Sequence, residues 1–129
     1  MSYQEAYSSY HATSLDAQTS RASPIELVLL LTDGLLDELA RARAHIVAKR
    51  YEQRAASINK CVDIINGLSS SLDFDGGGQV VANLASLYEF CVARLHGAGI
   101  KQDPAMIDEV VKIMNTIRAG WAGVQARNG

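Results

Sequence analysis

Ala22-Ser23-Pro24-Ile25-Glu26-Leu27-Val28-Leu29-Leu30-Leu31-Thr32-Asp33-Gly34 is the stretch of sequence that decides the fold. Ser23 can accept a hydrogen bond from the free backbone N–H groups of a helix start, and Pro24 suits the first helical position. Glu26 lies three residues after Ser23, which completes a capping-box pattern. Because an apolar run follows at once, the sequence predicts a helix that begins here and extends to about Lys49.

Two apolar stripes run along this first predicted helix, roughly 110° apart around its axis. A helix with two apolar sides must be covered from two directions, which is typical of a central bundle helix. One of the two sides could instead serve a removable partner. The first stripe consists of Val28, Leu31, Leu35, Leu39, Ala42 and Ile46, and the second of Ile25, Leu29, Leu36, Ala40 and Val47.

The composition limits the class of protein to which the chain can belong. Its 129 residues suffice for one domain with a core, and a 48% hydrophobic and 20% charged content is typical of a globular chain. A net charge of -2 argues against nucleic acid as the main partner, because phosphate binding requires a basic face. The longest apolar run, residues 27–31, is too short to span a bilayer. The N-terminus lacks the pattern of a signal peptide, so we expect a cytoplasmic location.

Three further helices are predicted after the first. The second spans about 51–72, and the third spans about 79–96 and ends at Gly97-Ala98-Gly99. Asp103 then caps the fourth helix, with Pro104 at its first position. The expected core stripes are Tyr51, Ala55, Ile58, Val62, Ile65 and Leu72 in the second helix, Val81, Leu84, Tyr88, Cys91, Val92 and Leu95 in the third, and Ile107, Val110, Met114, Ile117, Trp121 and Val124 in the fourth.

The connections between these helices are short, which favours antiparallel neighbours. The fold class is therefore all-α: an antiparallel up-down-up-down four-helix bundle, residues 23–127, with a loosely docked N-terminal arm, residues 1–22. Gly76-Gly77-Gly78 is interpreted as part of a turn and not as a phosphate-binding loop. No Lys-Ser/Thr pair follows these glycines and no strand precedes them.

The N-terminal arm is polar but carries Tyr3, Tyr7 and Tyr10 at i, i+4, i+7 spacing. Its many Ser and Thr residues argue against a long independent helix. Two interpretations stay open, a disordered tail with chance tyrosines or an arm that docks its rings on an apolar groove. Tyrosine suits docking because it can bury its ring while its hydroxyl stays in water.

Small residues mark the sides of the second and third predicted helices that face away from the core. Such residues would let another helix approach closely, and Phe90 is a large ring on the same side. One exposed Phe is ordinary, so an ordinary surface and a site for a partner helix both fit the pattern. The residues are Ala56, Asp63 and Gly67 on the second helix and Asn83, Ser86, Phe90, Ala93 and Gly97 on the third.

Patterns for catalysis or metal binding are poor. His11, His45 and His96 lie on separate elements without Cys or acidic partners at ligand spacing, so we expect no metal, no cofactor and no enzyme activity. Cys61 and Cys91 lie at or beside core stripes and are expected to be buried free thiols. The alternative function is a histidine phosphotransfer bundle that uses His45. Such domains usually place a lysine three residues after the histidine, whereas here it follows after four.

A series of short motifs along the chain matches a known family in order and spacing. The motifs are Tyr10, Ala22-Ser23-Pro24, Leu27, Leu31-Thr32-Asp33-Gly34, Leu72-Asp73, Gly77-Gly78, Leu84, Leu87-Tyr88, Asp103, Glu109-Val110 and Trp121. Across nearly its whole length the chain resembles the flagellar secretion chaperone FliS family. The resemblance implies a cytoplasmic protein that binds the disordered C-terminal segment of flagellin, prevents premature polymerisation and delivers flagellin to the flagellar export apparatus.

The resemblance also implies an arm that packs on the bundle and is displaced by flagellin. Thr13, Thr32 and Gln79 depart from the family's usual residues, and none of them disturbs the helix pattern. Thr13 replaces an apolar residue after the arm's tyrosine and weakens the expected docking of the arm. The predicted flagellin-binding residues are Tyr7, Tyr10, Ile25, Leu29, Leu36, Ala56, Gly67, Ser86, Phe90 and Ala93.

Overall fold

A computed structural model of the chain describes residues 23–72 and 76–128. The predicted arm and residues 73–75 lie outside the described residues. Within the two described ranges the backbone forms four α-helices and no strand. The helices are α1 (Pro24–Val47), α2 (Tyr51–Ser70), α3 (Gly78–Lys101) and α4 (Pro104–Asn128).

The four helices form a ring in which each packs mainly against two neighbours. Helix α1 lies between α2 and α4, and α3 lies between the same two helices on the other side. The turns at 48–50 and 102–103 therefore lie at one end of the bundle, named here the two-turn end. This arrangement confirms the antiparallel four-helix bundle predicted from the sequence.

Both predicted helix caps are present. The backbone N–H of Glu26 donates to Ser23 Oγ at 3.1 Å, and Pro24 is the first residue of α1. The backbone N–H of Ala105 donates to Asp103 Oδ1 at 3.0 Å at the start of α4. Each cap satisfies a backbone donor that the helix cannot pair internally, which stabilises it by about 1 kcal/mol.

The α1–α2 turn is closed by a lysine where a glycine is usual. Lys49 has a left-handed backbone, with φ 59°. Its N–H donates to the carbonyl of Ile46 at 3.1 Å, and the N–H of Arg50 donates to the carbonyl of His45 at 2.9 Å. These two bonds are those of a Schellman motif, which ends α1 at Val47 and reverses the chain within three residues.

The predicted end of the third helix at His96 is wrong, because α3 continues through the Gly97-Ala98-Gly99 segment to Lys101. A Cβ atom on Gly97 would lie 2.6 Å from Met106 Cε, and one on Gly99 would lie 3.1 Å from Ile58 Cδ1. The two glycines let α4 and α2 approach α3 closely, so they serve packing between helices and not helix termination.

The core is built from the predicted stripes with few exceptions. Tyr51 is one exception, since it is 56% exposed, and Ala55 is also exposed. Tyr51 begins α2 at the two-turn end, and the apolar side of α2 is buried only further along, from Ser57 and Ile58 onward. The largest fully buried side chains are Tyr88, Leu35, Leu39, Ile65, Leu68, Leu95, Ile107, Met114 and Val110.

Two ion pairs connect α1 with α4. The guanidinium of Arg43 pairs with Asp108, at 2.8 Å from Nε to Oδ1, and that of Arg118 pairs with Asp33. Along each of the two helices the acidic residue comes first and the basic residue second. Because the helices are antiparallel, each acidic residue lies opposite a basic one. A parallel α4 would set like charges against each other, so the pairs favour the observed direction.

Candidate functional site

Three large apolar side chains on α3 are exposed along one side of the helix. They are Val80, Leu87 and Phe90, with exposed fractions of 68%, 39% and 45%. Their spacing of seven and three residues places them on one helical face, adjacent to the buried face that contains Cys91. This face is apolar without being part of the core, so it is a candidate surface for a partner.

The alignment of α3 with α4 shows what lies opposite this face. Arg94 Nε lies 2.8 Å from Glu109 Oε2, and the close approach of Gly97 to Met106 gives the same antiparallel register. Counting along both helices from these contacts places Ile113 level with Phe90. The same register continues towards the end of the bundle opposite the two-turn end.

Further along this register, α4 presents glycine to the exposed face of α3. Gly120 is level with Asn83, and Gly123 is level with Val80. A Cβ atom built on either glycine would meet no atom within 4 Å, so the space beside α4 is open here. We call this surface the α3–α4 groove and define it by Val80, Leu87, Phe90, Gly120 and Gly123.

The closed end of the groove is fixed by a stacked cation. The guanidinium carbon of Arg94 lies 5.3 Å from the centroid of the Phe90 ring, and the same guanidinium pairs with Glu109 on α4. A cation over an aromatic face is attractive, and the ion pair holds that cation in place. The ring of Phe90 is therefore held beside α4 although it is nearly half exposed.

The groove is backed by a tightly packed core. Tyr88 is 1% exposed, and burial raises the pKa of its hydroxyl, while a hydrogen bond with Trp121 lowers it. Trp121 is half-buried and packs against the core, in part as predicted from its stripe. The walls of the groove thus rest on helices whose inner faces are buried in the core.

The predicted binding residues of α1 and those of α3 do not form one surface, because the two helices are not neighbours in the ring. On α1, Leu29 is buried, and Ile25 and Leu36 are half-buried. Leu36 packs against the core. The middle part of the second stripe of α1 therefore contributes mainly to the fold.

The predicted residues on α2 and α3 face outward, with one exception. Ser86, Phe90 and Ala93 are exposed on α3, and Ala56 is exposed on α2. A Cβ atom on Gly67 would also meet open space. The exception is Gly97, which was expected to face outward but contacts Met106 of α4. Tyr7 and Tyr10 lie outside the described residues.

Sequence reasoning missed four of the five residues that define the groove. Val80 precedes Val81, which was assigned to the core, and Leu87 precedes the buried Tyr88. The seven- and three-residue spacing from Val80 to Leu87 and Phe90 is a signal that could have found them. Gly120 and Gly123 share one face of α4, but nothing in the sequence shows whether space or another helix lies beside them.

The described residues offer surfaces for binding and no arrangement for catalysis. They contain no cluster of His, Cys, Asp and Glu that could hold a metal ion. Cys61 and Cys91 are buried free thiols, as predicted. Burial raises the pKa of Cys91 to about 11 and that of Cys61 further, so both stay protonated at neutral pH. None of the helices in the described ranges is long and apolar enough to cross a membrane.

His45, the residue of the alternative function, takes part in the turn. Its Nδ1 accepts a hydrogen bond from Nε of Arg50 at 2.9 Å, and the ring is half-buried. In the neutral ring the proton therefore lies on Nε2. The contact ties the last turn of α1 to the residue before α2 and gives His45 a structural role at the two-turn end.

Comparison with known proteins gives one consistent result. Residues 6–128 match the sequence family described as flagellar protein FliS. The chain is 36% identical over 120 residues to the flagellar secretion chaperone FliSB of Pseudomonas aeruginosa, which covers 93% of this chain and 95% of the relative. It is 34% identical over 112 residues to the flagellar secretion chaperone FliS of Vibrio cholerae, which covers 87% of this chain and 82% of the relative.

A solved structure supports the fold. A crystal structure of a flagellar chaperone from bacteria aligns with a TM-score of 0.77 and 14% sequence identity, covering 96% of this chain and 98% of that one. The relatives are named chaperones and not enzymes. The match to the family extends over nearly the whole chain, and we conclude that this protein belongs to the FliS family of flagellar secretion chaperones.

Proposed function

We propose that this protein is a cytoplasmic export chaperone that binds the disordered C-terminal segment of flagellin. In this role it prevents premature polymerisation of flagellin and delivers it to the flagellar export apparatus. The α3–α4 groove is the observation that carries the proposal. It exposes apolar side chains in a row on a bundle whose core is otherwise closed.

The dimensions of the groove suit a helical or extended segment of a partner. Val80 and Phe90 are ten residues apart on α3, which is about 15 Å along the axis and about three helical turns. Open space lies beside Gly120 and Gly123 on α4, so a partner backbone can approach closely at these two positions. An amphipathic segment can place its apolar residues in such a groove in the helix-in-groove mode.

The energetics also fit a client that is disordered before it binds. A disordered segment loses conformational entropy when it folds on a surface, and burial of apolar area offsets that loss. The groove lies on packed helices and is formed before binding, which lowers the entropy lost by the chaperone itself. No catalytic step is required, which agrees with the lack of catalytic arrangements among the described residues.

A paired substitution tests the proposal directly. We expect Leu87→Ser together with Phe90→Ser to weaken binding of a flagellin C-terminal peptide on the order of 100-fold, because large apolar anchors dominate such interfaces. Isothermal titration calorimetry measures the effect. Binding to the parent should show a negative heat-capacity change and only mild salt dependence, because the surface is apolar.

Ile100→Ser is the matched control. Ile100 is also on α3 and is 83% exposed, but it lies at the two-turn end away from the groove. Its variant should bind the peptide as the parent does. Equal affinities of the parent and the paired variant would exclude the groove as the flagellin site, and urea unfolding verifies that both variants stay folded.

The role of the arm stays a prediction, since Tyr7 and Tyr10 lie outside the described residues. We propose that the arm covers part of the flagellin site and competes with the client. Deletion of residues 1–18 should then raise affinity for the peptide, unless the tyrosines also contact flagellin. Tyr10→Ala separates the two cases, because it tightens binding if Tyr10 only occludes the site and weakens binding if Tyr10 contacts the client.

A further inference from the structure

The positive charges of this chain are concentrated in one region. Six of the 12 Lys and Arg residues lie between positions 41 and 60, together with one of the 14 Asp and Glu residues. This region carries a formal charge of +5 within a chain whose net charge is -2. It comprises the end of α1, the turn and the first half of α2, and none of the residues that define the α3–α4 groove lies in it.

Exposed apolar side chains lie among these charges. Val47 is 60% exposed at the last position of α1, and Tyr51 is 56% exposed at the first position of α2. The turn between them carries the exposed cations Lys49 and Arg50. We call this surface the hairpin tip and define it by Val47, Lys49, Arg50, Tyr51 and Arg54.

The arginines of the hairpin tip are held in place by groups that leave their charge uncompensated. Nε of Arg50 donates to Nδ1 of His45, which is a ring nitrogen and not a carboxylate. The guanidinium carbon of Arg54 lies 5.7 Å from the centroid of the Tyr51 ring, and its Nε has no hydrogen-bond partner among the described residues. Oriented guanidinium groups match the planar geometry of a carboxylate.

The basic residues of α1 that precede the tip are already paired, which limits the positive surface on this helix to the tip itself. Arg43 pairs with Asp108 of α4, and Arg41 pairs with Glu38. At the same end of the bundle, α3 ends at the exposed Lys101, and the acidic Asp103 follows it two residues later. The positive surface is therefore a narrow one on the α1–α2 hairpin and does not extend over the whole two-turn end.

We propose that the hairpin tip docks an acidic polypeptide segment that carries an apolar residue, supplied by a protein other than flagellin. Carboxylates of the segment pair with Arg50, Arg54 and Lys49, and its apolar side chain packs on Tyr51 and Val47. Aromatic and arginine side chains of this kind are those that dominate protein interfaces. The charges increase the rate of encounter, and the apolar contact adds stability.

The shape of the surface favours a peptide over a membrane or a nucleic acid. A flat anionic membrane would face the whole two-turn end and would approach the acidic Asp103 as well as the tip. An extended nucleic acid would pass from the +5 region onto the remaining chain, whose formal charge is -7. A narrow acidic segment contacts the hairpin alone. It therefore avoids repulsion by the acidic residue before α4 and by the negatively charged remainder of the chain.

The hairpin tip and the α3–α4 groove lie in different halves of the bundle. Phe90 at the end of the groove and Lys101 at the end of α3 are 11 residues apart, which is about 16 Å along the helix. The two surfaces can therefore be occupied at the same time. A chaperone with both could hold its client on one surface and contact a second protein through the other.

The test uses a fluorescein-labelled peptide in which glutamates flank a Leu-Phe pair, with the full chain and fluorescence anisotropy as the readout. We expect Lys49→Glu with Arg50→Glu to weaken binding by about tenfold or more, and added salt to weaken it further. Tyr51→Ser should also weaken binding, because it removes the apolar contact and the ring under Arg54.

Lys112→Glu with Arg127→Glu is the matched control, since it makes the same change of net charge at exposed positions of α4 outside the tip. Its affinity for the acidic peptide should equal that of the parent. Equal weakening in both double variants would overturn the proposal by showing only general charge attraction. Equal binding of a peptide of glutamates alone would also overturn it.

Two further probes separate other partners. Vesicles that contain phosphatidylglycerol and a single-stranded oligonucleotide should bind more weakly than the peptide, and stronger binding of either would overturn the choice of a peptide. Binding of the flagellin C-terminal peptide should be unchanged in Lys49→Glu with Arg50→Glu. Failure of the tip proposal is thereby distinguished from failure of the flagellin site, which the groove variants test alone.

Discussion

The contact between α3 and α4 has a closed half and an open half. Both halves contain glycine, and the glycines have opposite consequences. In the closed half, near the two-turn end, a Cβ atom on Gly97 would lie 2.6 Å from Met106 Cε. In the open half, Cβ atoms on Gly120 and Gly123 would meet no atom within 4 Å. Glycine brings two helices together in one half and leaves a groove between them in the other.

The close helix contact in the closed half fixes the geometry of the open half. The close approach at Gly97 and the ion pair of Arg94 with Glu109 fix the distance and register of the two helices. The exposed side chains further along α3 are therefore presented by a rigid frame. Because the frame is formed in advance, a partner meets a surface that needs little rearrangement on binding.

Filling the open half should give the largest effect. We expect Gly120→Leu with Gly123→Leu to weaken binding of a flagellin C-terminal peptide on the order of 100-fold, because the new side chains occupy the space that the partner requires. The fold should not suffer, since open space lies beside both positions and leucine has a higher helix propensity than glycine, by up to about 1 kcal/mol each. Calorimetry and urea unfolding measure the two quantities.

Ala105→Leu is the control for this experiment. Ala105 is exposed in the first turn of α4, at the two-turn end, and lies 15 residues before Gly120. The added side chain has the same size but lies outside the groove, so peptide affinity should stay unchanged. If Ala105→Leu and the double variant bind equally well, the open half is not the flagellin site.

The closed half should respond in the opposite way. Gly97→Leu places a side chain where Met106 already lies, and overpacking of this kind costs about 1–3 kcal/mol of unfolding free energy. Gly97→Ala should cost less, because the atom that must move is the terminal methyl group of a flexible side chain. The midpoints of urea unfolding for both variants test this order, and a Gly97→Leu protein as stable as the parent would contradict it.

The glycines also show where sequence reasoning succeeded and where it could not. The caps at Ser23 and Asp103 are local features, so the sequence alone located the starts of α1 and α4. The end of α3 was misplaced because glycine at a helix end and glycine at a helix contact have the same local signature. Only the position of Met106 in the neighbouring helix distinguishes the two.

The turn at Lys49 was hard to locate for a related reason. A left-handed residue that closes a helix is usually glycine, and here lysine adopts that conformation with φ 59°.

Prediction of the candidate site from the sequence had a similar limit. Phe90 was found as a ring on the wrong side for the core, but the groove depends on which helices are neighbours, and the α1 residues were grouped with it although α1 and α3 are apart in the ring.

A smaller effect should follow from the core contact behind the groove. Tyr88→Phe removes a buried hydroxyl group that lies beside Trp121, and loss of a buried polar contact of this kind costs about 1 kcal/mol. Peptide affinity should change little, because Tyr88 is not exposed to the groove. Urea unfolding followed by Trp121 fluorescence measures the loss, and an unchanged midpoint would show that the Tyr88 hydroxyl contributes nothing to stability.

The smallest effect concerns the other side of the closed half, where Asp108 joins α4 to α1. The hydrogen bond from Arg43 lowers the pKa of Asp108 below its ordinary value. A carboxyl group whose pKa is lowered by folding stabilises the protein above its unfolded pKa of about 4, and this contribution is lost as the pH falls through the folded value. Asp108→Asn should therefore reduce the dependence of stability on pH below about pH 4.

Arg43→Gln should have the same consequence, because either substitution removes the pair. A double-mutant cycle at neutral pH should show a small favourable coupling between the two residues, since both side chains are about half exposed and solvent screens the interaction. At a pH below the lowered pKa of Asp108 the coupling should vanish, because the carboxyl group is then protonated. Coupling of the same size at both pH values would show that Arg43 and Asp108 interact through packing and not through charge. The charge of this ion pair would then contribute nothing to the stability of the α1–α4 contact. The α3–α4 contact would still depend on Gly97.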